Sequence, residues 1–217
     1  MVARIDPQIM MVALLLLSGC STRALPRSIS PDQLKTHGVL AGSFVLPFGD
    51  PTRPEGCCVS KNLTIKSMAT GKTSIVSFKP YPRSKYEVHD EHGNGTPFAI
   101  LLPEGNYEIT GWSVERRVPL GQMTIVRNSS GELVSPVSVR AGQIRYVGCL
   151  DVLNLGGQKA VLKFLSDSNP GPVQFQVEDQ SARDLAVLRN LYPHLPWQNV
   201  VMSMELADMV RNRSLDQ

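Results

Sequence analysis

Short apolar segments, broken by Gly and Pro about every ten residues, are the feature that most restricts the fold of this chain. Gly (17) and Pro (16) are frequent among its 217 residues, whereas aromatic side chains make up only 6%. Hairpin signals such as Thr70-Gly71-Lys72 separate segments that alternate between apolar and polar residues. We therefore predict strands at residues 38–46, 60–68, 73–78, 98–102, 107–114, 122–126, 133–139, 144–155 and 160–165, and a long surface loop at 80–97. This pattern favours a mainly β sandwich or barrel over a parallel α/β sheet.

A helical pattern is confined to the C-terminal part of the chain. Ser181 and Asp184 have the spacing of a capping box, and Pro193 ends the segment. An apolar stripe at helical spacing is formed by Leu185, Leu188 and Leu191. We expect this stripe to pack on the sheet or cover its edge, the alternative being a helix that binds a partner. Residues 197–204 are predicted to form a last short strand.

Two short motifs resemble those of a known class of β domain. Residues 98–110 (FAILLPEGNYEIT) are similar to the strand, Pro-x-Gly-x-Tyr turn and strand of prealbumin-like and carboxypeptidase-regulatory-like β-sandwiches. Residues 139–148 (VRAGQIRYVG) resemble the companion motif of those domains, a Gly turn before a strand that bears Tyr. The resemblance implies an antiparallel, transthyretin-like β-sandwich with one C-terminal helix. It implies no catalytic residue, because such sandwiches host many unrelated roles.

The N-terminal residues have the pattern of a targeting signal. Arg4 precedes an apolar run at residues 9–17, which is too short to span a bilayer and is typical of a signal peptide. The run closes on Leu17-Ser18-Gly19-Cys20, which resembles the lipobox of bacterial lipoproteins. The resemblance implies that residues 1–19 are removed and that Cys20 is acylated. Ser21 at the following position implies sorting to the outer membrane, facing the periplasm, and the alternative is an ordinary cleaved signal.

The domain organisation follows from the change in composition along the chain. Residues 20–37 are rich in Pro and Ser and are predicted to be a lipidated, flexible tether. Residues 38–178 are predicted to form the β-sandwich, and residues 179–217 the helix and tail. The net charge of +3 comes from scattered basic residues, so nothing indicates a nucleic-acid partner.

Apart from Cys20, three cysteines remain. Cys57 and Cys58 are adjacent and cannot readily bond each other, so we expect a disulfide from Cys149 to one of them. That bridge would close a loop of about ninety residues and contribute on the order of 4 kcal/mol. The alternative is three buried thiols that pack as small apolar side chains.

The clearest candidate cluster of metal-ligating residues is His89-Asp90-Glu91-His92. Imidazoles and carboxylates can bind zinc or copper, which makes His89 and His92 candidate metal ligands. No third ligand is placed by spacing, so we expect a solvated turn and predict neither a metal nor another cofactor. A nucleophile at Cys57 or Cys58 would need a base that the sequence does not position.

The function expected from these features is that of a non-catalytic lipoprotein. It would be anchored through Cys20 and would act as a structural or protein-interaction module of the cell envelope. One alternative is a small carbohydrate- or peptide-binding domain, which exposed Trp112 or Tyr86 would favour. Another is a lipoprotein subunit of a secretion or transport apparatus. An envelope enzyme ranks last, since the chain has no GxSxG, P-loop or dinucleotide-binding motif.

Overall fold

The computed structural model describes residues 21–22, 29–46, 59–78, 87–90, 93–117, 124–128, 134–154 and 173–208. Strands predominate in this part of the chain. They are β1 (Ser21–Thr22), β2 (His37–Leu46), β3 (Val59–Ser67), β4 (Thr73–Phe78), β5 (Val88–Asp90), β6 (Gly93–Pro103), β7 (Gly105–Arg117), β8 (Thr124–Asn128), β9 (Ser135–Val139), β10 (Ile144–Asn154), β11 (Val173–Glu178) and β12 (Val200–Met202). The helices are α1 (Pro31–Leu34), α2 (Ser181–Leu191) and a 3-10 turn at Trp197–Asn199. The expectation of a mainly β protein with a helix near the C-terminus is confirmed.

The strands form two sheets. Sheet 1 has the order β1-β4-β3-β7-β8, with β9 beside the first half of β7. Sheet 2 has the order β11-β10-β2-β6-β5, with β12 beside the first half of β10. Most neighbours are antiparallel, but β1–β4, β2–β10 and β10–β12 run parallel. The expected wholly antiparallel arrangement is corrected at these three pairs. Their members are far apart in sequence, so no hairpin requires them to be antiparallel.

The main core lies between the two sheets. On β3 and β4 the alternate residues Leu63, Ile65, Val76 and Phe78 are buried, as period-two strands require. They belong to one cluster with apolar side chains of sheet 2, namely Leu40, Phe44, Phe98, Ile100, Leu102, Val147 and Leu150. The two sheets therefore pack face to face.

A second apolar cluster covers the other face of sheet 2. It joins Leu188 of α2 to the β2 and β10 residues Val39, Ala41 and Ile144. Ile29 and Leu34 belong to the same cluster, although the sequence placed them in the tether. Helix α1 begins with a capping box in which Ser30 and Gln33 exchange hydrogen bonds. The packed domain therefore begins before residue 38.

Two other segments differ from the sequence prediction. The predicted loop at 80–97 contains β5 and the first part of β6. This part of β6 pairs with β2, and Gly95 lies opposite Val45. A Cβ atom at Gly95 would lie 2.9 Å from the carbonyl oxygen of Phe44, so this glycine serves close strand packing rather than a turn. The predicted strand 197–204 is reduced to β12, which follows a 3-10 turn. The predicted strand 160–165 lies outside the described residues.

Candidate functional site

A bulge in β10 brings several polar side chains together beneath α2. The pairing of β10 with β2 shifts register between Tyr146 and Cys149. Gly148 lies inside the shift and has φ of 111°, a conformation that favours glycine. In a regular strand, residues three apart would face opposite sides of the sheet. Here the bulge lets Tyr146 and Cys149 both reach side chains of α2.

Asp184 of α2 is the centre of these contacts. It is completely buried, and its Oδ2 accepts hydrogen bonds from Ser43 Oγ at 2.5 Å and from Tyr146 Oη at 2.6 Å. Arg183 Nε donates to its Oδ1 at 2.8 Å. We call Ser43, Tyr146, Cys149, Arg183 and Asp184 the buried polar cluster. Its residues come from β2, β10 and α2, so it joins the helix to the two central strands of sheet 2.

Arg183 supplies the positive charge of the cluster. Its Nη2 lies 2.8 Å from Asp184 Oδ1 and donates to Ser43 Oγ and Cys149 Sγ, each at 3.4 Å. A buried carboxylate without a partner would be very unfavourable. The guanidinium and the two hydroxyls together satisfy the Asp184 carboxylate.

The same surroundings keep the neighbouring acids protonated. Burial raises the pKa of the Cys149 thiol to about 11. Burial, followed by the negative charge of Asp184, also raises the pKa of Tyr146 well above its ordinary value. Because the thiolate is the nucleophilic form of cysteine, this raised pKa makes Cys149 a weak nucleophile at neutral pH. In this arrangement the cluster fixes α2 on sheet 2.

The predicted capping box at Ser181 and Asp184 is wrong. Gln180 is the N-cap of α2 and makes no side-chain capping bond, while the Ser181 amide donates to Asp179 Oδ1 at 3.0 Å. Asp184 faces the sheet with Leu188, one turn further along the helix. The buried face of α2 is therefore rotated away from the predicted leucine stripe. Leu191, at the end of that stripe, is 48% exposed.

A second buried charge lies at the sheet-to-sheet interface. Lys61 of β3 is 1% exposed, and its Nζ donates to the Val45 carbonyl oxygen at 2.7 Å and to Asp151 Oδ1 at 2.9 Å. This contact links sheet 1 to β2 and β10 of sheet 2. The sequence alone does not predict this contact, because a lysine in an alternating strand is normally expected to face solvent.

The cysteines and histidines predicted as site residues are only partly covered by the structure. Cys20, Cys57, Cys58 and His92 lie outside the described residues. Cys149 is a buried free thiol. Its predicted disulfide stays a prediction, because both candidate partners, Cys57 and Cys58, lie outside the described residues. His89 lies exposed on β5. Among the described residues, no group of three or more His, Cys, Asp or Glu side chains could hold a metal ion.

The two tryptophans lie within packed surroundings. Trp112 is half-buried against the main core. Trp197 packs against the second cluster, and its Nε1 donates to the Tyr192 carbonyl oxygen at 2.9 Å. The guanidinium of Arg189 lies over the Trp197 ring, 5.8 Å from its centroid. In the described ranges, no helix has the length and apolar character needed to cross a membrane.

Fold and site together define a mainly β protein of two packed sheets, with one helix fixed to an outer face by buried polar contacts. No family model and no curated protein matches the chain. Among solved structures it is similar to a leucine-rich repeat protein from Bacteroides thetaiotaomicron, with a TM-score of 0.31 and 13% sequence identity. That match covers 52% of this chain and only 13% of the other. A likeness this distant supports no argument about fold family or function.

Proposed function

We propose that this chain is a non-catalytic lipoprotein, anchored to the outer membrane through Cys20 and facing the periplasm. Its folded part would serve as a structural or protein-interaction module of the cell envelope. The observation that carries the proposal is Leu17-Ser18-Gly19-Cys20 directly after a short apolar run. A lipid chain contributes about 0.8 kcal/mol per buried methylene group, so acylation can hold a folded domain at the membrane surface.

The interior of the domain is compatible with a structural role. In the buried polar cluster, the carboxylate of Asp184 is satisfied by protein donors and the Cys149 thiol has a raised pKa. These groups stabilise the attachment of α2. The half-buried tryptophans give no support to the carbohydrate-binding alternative.

We extend the proposal to the fold family, as a prealbumin-like sandwich. The face-to-face sheets support it, and so does the turn between β6 and β7. Tyr107 is buried in the main core and its hydroxyl donates to the Pro103 carbonyl oxygen at 2.8 Å. An experimental structure compared with prealbumin-like domains tests this extension. A strand order unlike theirs would reject it.

The anchor is tested by feeding cells an alkyne analogue of palmitate and comparing the wild type with Cys20→Ala. We expect label and membrane association in the wild type and neither in the variant. Cys149→Ala is the matched control and should be labelled as strongly as the wild type, because its thiol is buried. Equal labelling of wild type and Cys20→Ala would refute the anchor.

The interaction role is tested separately by chemical crosslinking in intact cells. Recovery of the same envelope protein with the wild type, and its loss with the unanchored Cys20→Ala variant, is the expected result. A wild-type protein that is correctly anchored but crosslinks to no envelope protein would contradict the interaction role.

A further inference from the structure

The hairpin between β3 and β4 exposes both apolar and basic side chains. Met68 in its turn is 53% exposed, and Ile75 on β4 is 40% exposed. Lys66 and Lys72 on either side of the turn are also exposed. We call Lys66, Met68, Lys72 and Ile75 the hairpin surface. Large exposed apolar side chains beside lysines are typical of surfaces that lie against anionic lipid.

The strand register places Lys66 and Ile75 on the side of sheet 1 that faces away from the core. Ile65 and Val76 are buried in the main core, so their neighbours Lys66 and Ile75 face the other way. Lys66 lies opposite Thr73, two residues from Ile75 along β4. No Asp or Glu occurs between residues 66 and 78, although Glu108 of β7 lies opposite Lys66 on its other side.

The start of the described chain meets the same hairpin. Strand β1 runs parallel to β4, with Ser21 opposite Ile75. Cys20 is bonded to Ser21, so their Cα atoms are about 3.8 Å apart. An acyl group on Cys20 would therefore enter the bilayer close to the hairpin surface.

The geometry points to the hairpin surface as the part of the domain that lies against the bilayer. Met68 and Ile75 would enter the interfacial region, and Lys66 and Lys72 would meet anionic headgroups. This inference rests on the proposed lipid anchor. Because each lysine near an anionic surface favours the docked state by about fivefold, the pair accounts for roughly 25-fold. Helix α2 lies on the outer face of sheet 2, on the opposite side of the domain.

The test uses the processed full-length protein in vesicles of phosphatidylethanolamine and phosphatidylglycerol. The photocrosslinking residue p-benzoylphenylalanine replaces Met68 or, as the control, Leu191 of α2, which is similarly exposed at 48%. Mass spectrometry records lipid adducts at each position and, separately, the acyl group on the peptide that contains Cys20. We expect adducts at position 68 and not at 191. With Lys66→Gln and Lys72→Gln added, the yield at position 68 should fall.

The two readouts separate the two proposals. An acylated Cys20 with no lipid adduct at position 68, or with equal yields at 68 and 191, overturns the docking surface and leaves the anchor intact. A yield at 68 that is unaffected by the two glutamine substitutions overturns the assigned role of the lysines. A Cys20 peptide without an acyl group overturns the proposed function, and with it the docking surface.

Discussion

Asp184→Asn is the substitution that most directly tests the physical account of this fold. The change keeps the size of the side chain and removes its charge. One carboxylate oxygen of Asp184 accepts hydrogen bonds from Ser43 and Tyr146, and the other accepts from Arg183. An asparagine offers one acceptor oxygen, so its N–H₂ group would face either the two hydroxyls, which lose their charged acceptor, or the Arg183 guanidinium, which can only donate.

The expected loss follows from burial. Breaking a buried ion pair by removing one partner costs about 3–5 kcal/mol, because the other charge stays without compensation. Arg183 keeps 16% of its side-chain surface exposed and can recover part of its hydration, so the low end of that range applies. We therefore expect Asp184→Asn to lower the free energy of unfolding by about 3 kcal/mol. Tyr146→Phe, which removes one hydrogen bond to a charged group, should lower it by about 2 kcal/mol.

Urea unfolding followed by circular dichroism measures the effect. With an m value of about 2 kcal/mol/M, a loss of 3 kcal/mol moves the midpoint down by about 1.5 M. Asp32→Asn is the control, since its ion pair with Lys35 is exposed and worth at most about 1 kcal/mol. If the free energies of unfolding of Asp184→Asn and Asp32→Asn differ by less than about 1 kcal/mol, the buried polar cluster does not hold α2 on the sheet.

Three further predictions concern Gly148, Cys149 and the Lys61–Asp151 pair. Gly148→Ala should destabilise the fold by about 3 kcal/mol in urea unfolding, whereas Gly71→Ala, which also has positive φ but meets open space, should cost about 1 kcal/mol; equal losses would contradict the argument. The pKa of cysteine is about 8.5 in the unfolded chain and about 11 for folded Cys149. The free energy of unfolding should therefore fall by about 3 kcal/mol as the pH rises from 8.5 to 11. The Cys149→Ser variant should lose less over the same range. Lys61→Met should cost about 3 kcal/mol by leaving Asp151 unpaired, and adding Asp151→Asn should recover part of it; no recovery would argue against the pair.

Most of the individual strands could be predicted because their signals are local. The predicted segments 73–78 and 144–155 agree with β4 and β10 to within one residue. In each case apolar alternation, together with a turn before or after the strand, fixes the position. Between residues 80 and 97 the prediction of a surface loop was wrong, because Gly95 lies within β6 and allows that strand to lie close to β2.

The buried polar cluster could not be predicted for a different reason. Ser43 and Asp184 are 141 residues apart, and no local signal connects them. The bulge at Gly148 also depends on the parallel pairing of β10 with β2. These strands are neighbours in the sheet but far apart in the sequence. Asp184 had a plausible local role near a helix N-terminus, and only the docking of α2 shows that its carboxylate faces the sheet. One local signal was available: Asp184 and Leu188 are four residues apart, on the same face of the helix.

The buried polar cluster also restricts where α2 can lie. Apolar contacts alone tolerate small displacements of a helix across a sheet, since they have no direction. A buried carboxylate does not, because burial without donors costs several kcal/mol. Helix α2 is therefore stable only at the position where Asp184 meets the hydroxyls of both β2 and β10, and a shift by one turn, about 5.4 Å, would leave the carboxylate without them. In the proposed lipoprotein, with the hairpin surface against the bilayer, this restriction would hold the exposed side of α2 in a fixed position facing away from the membrane.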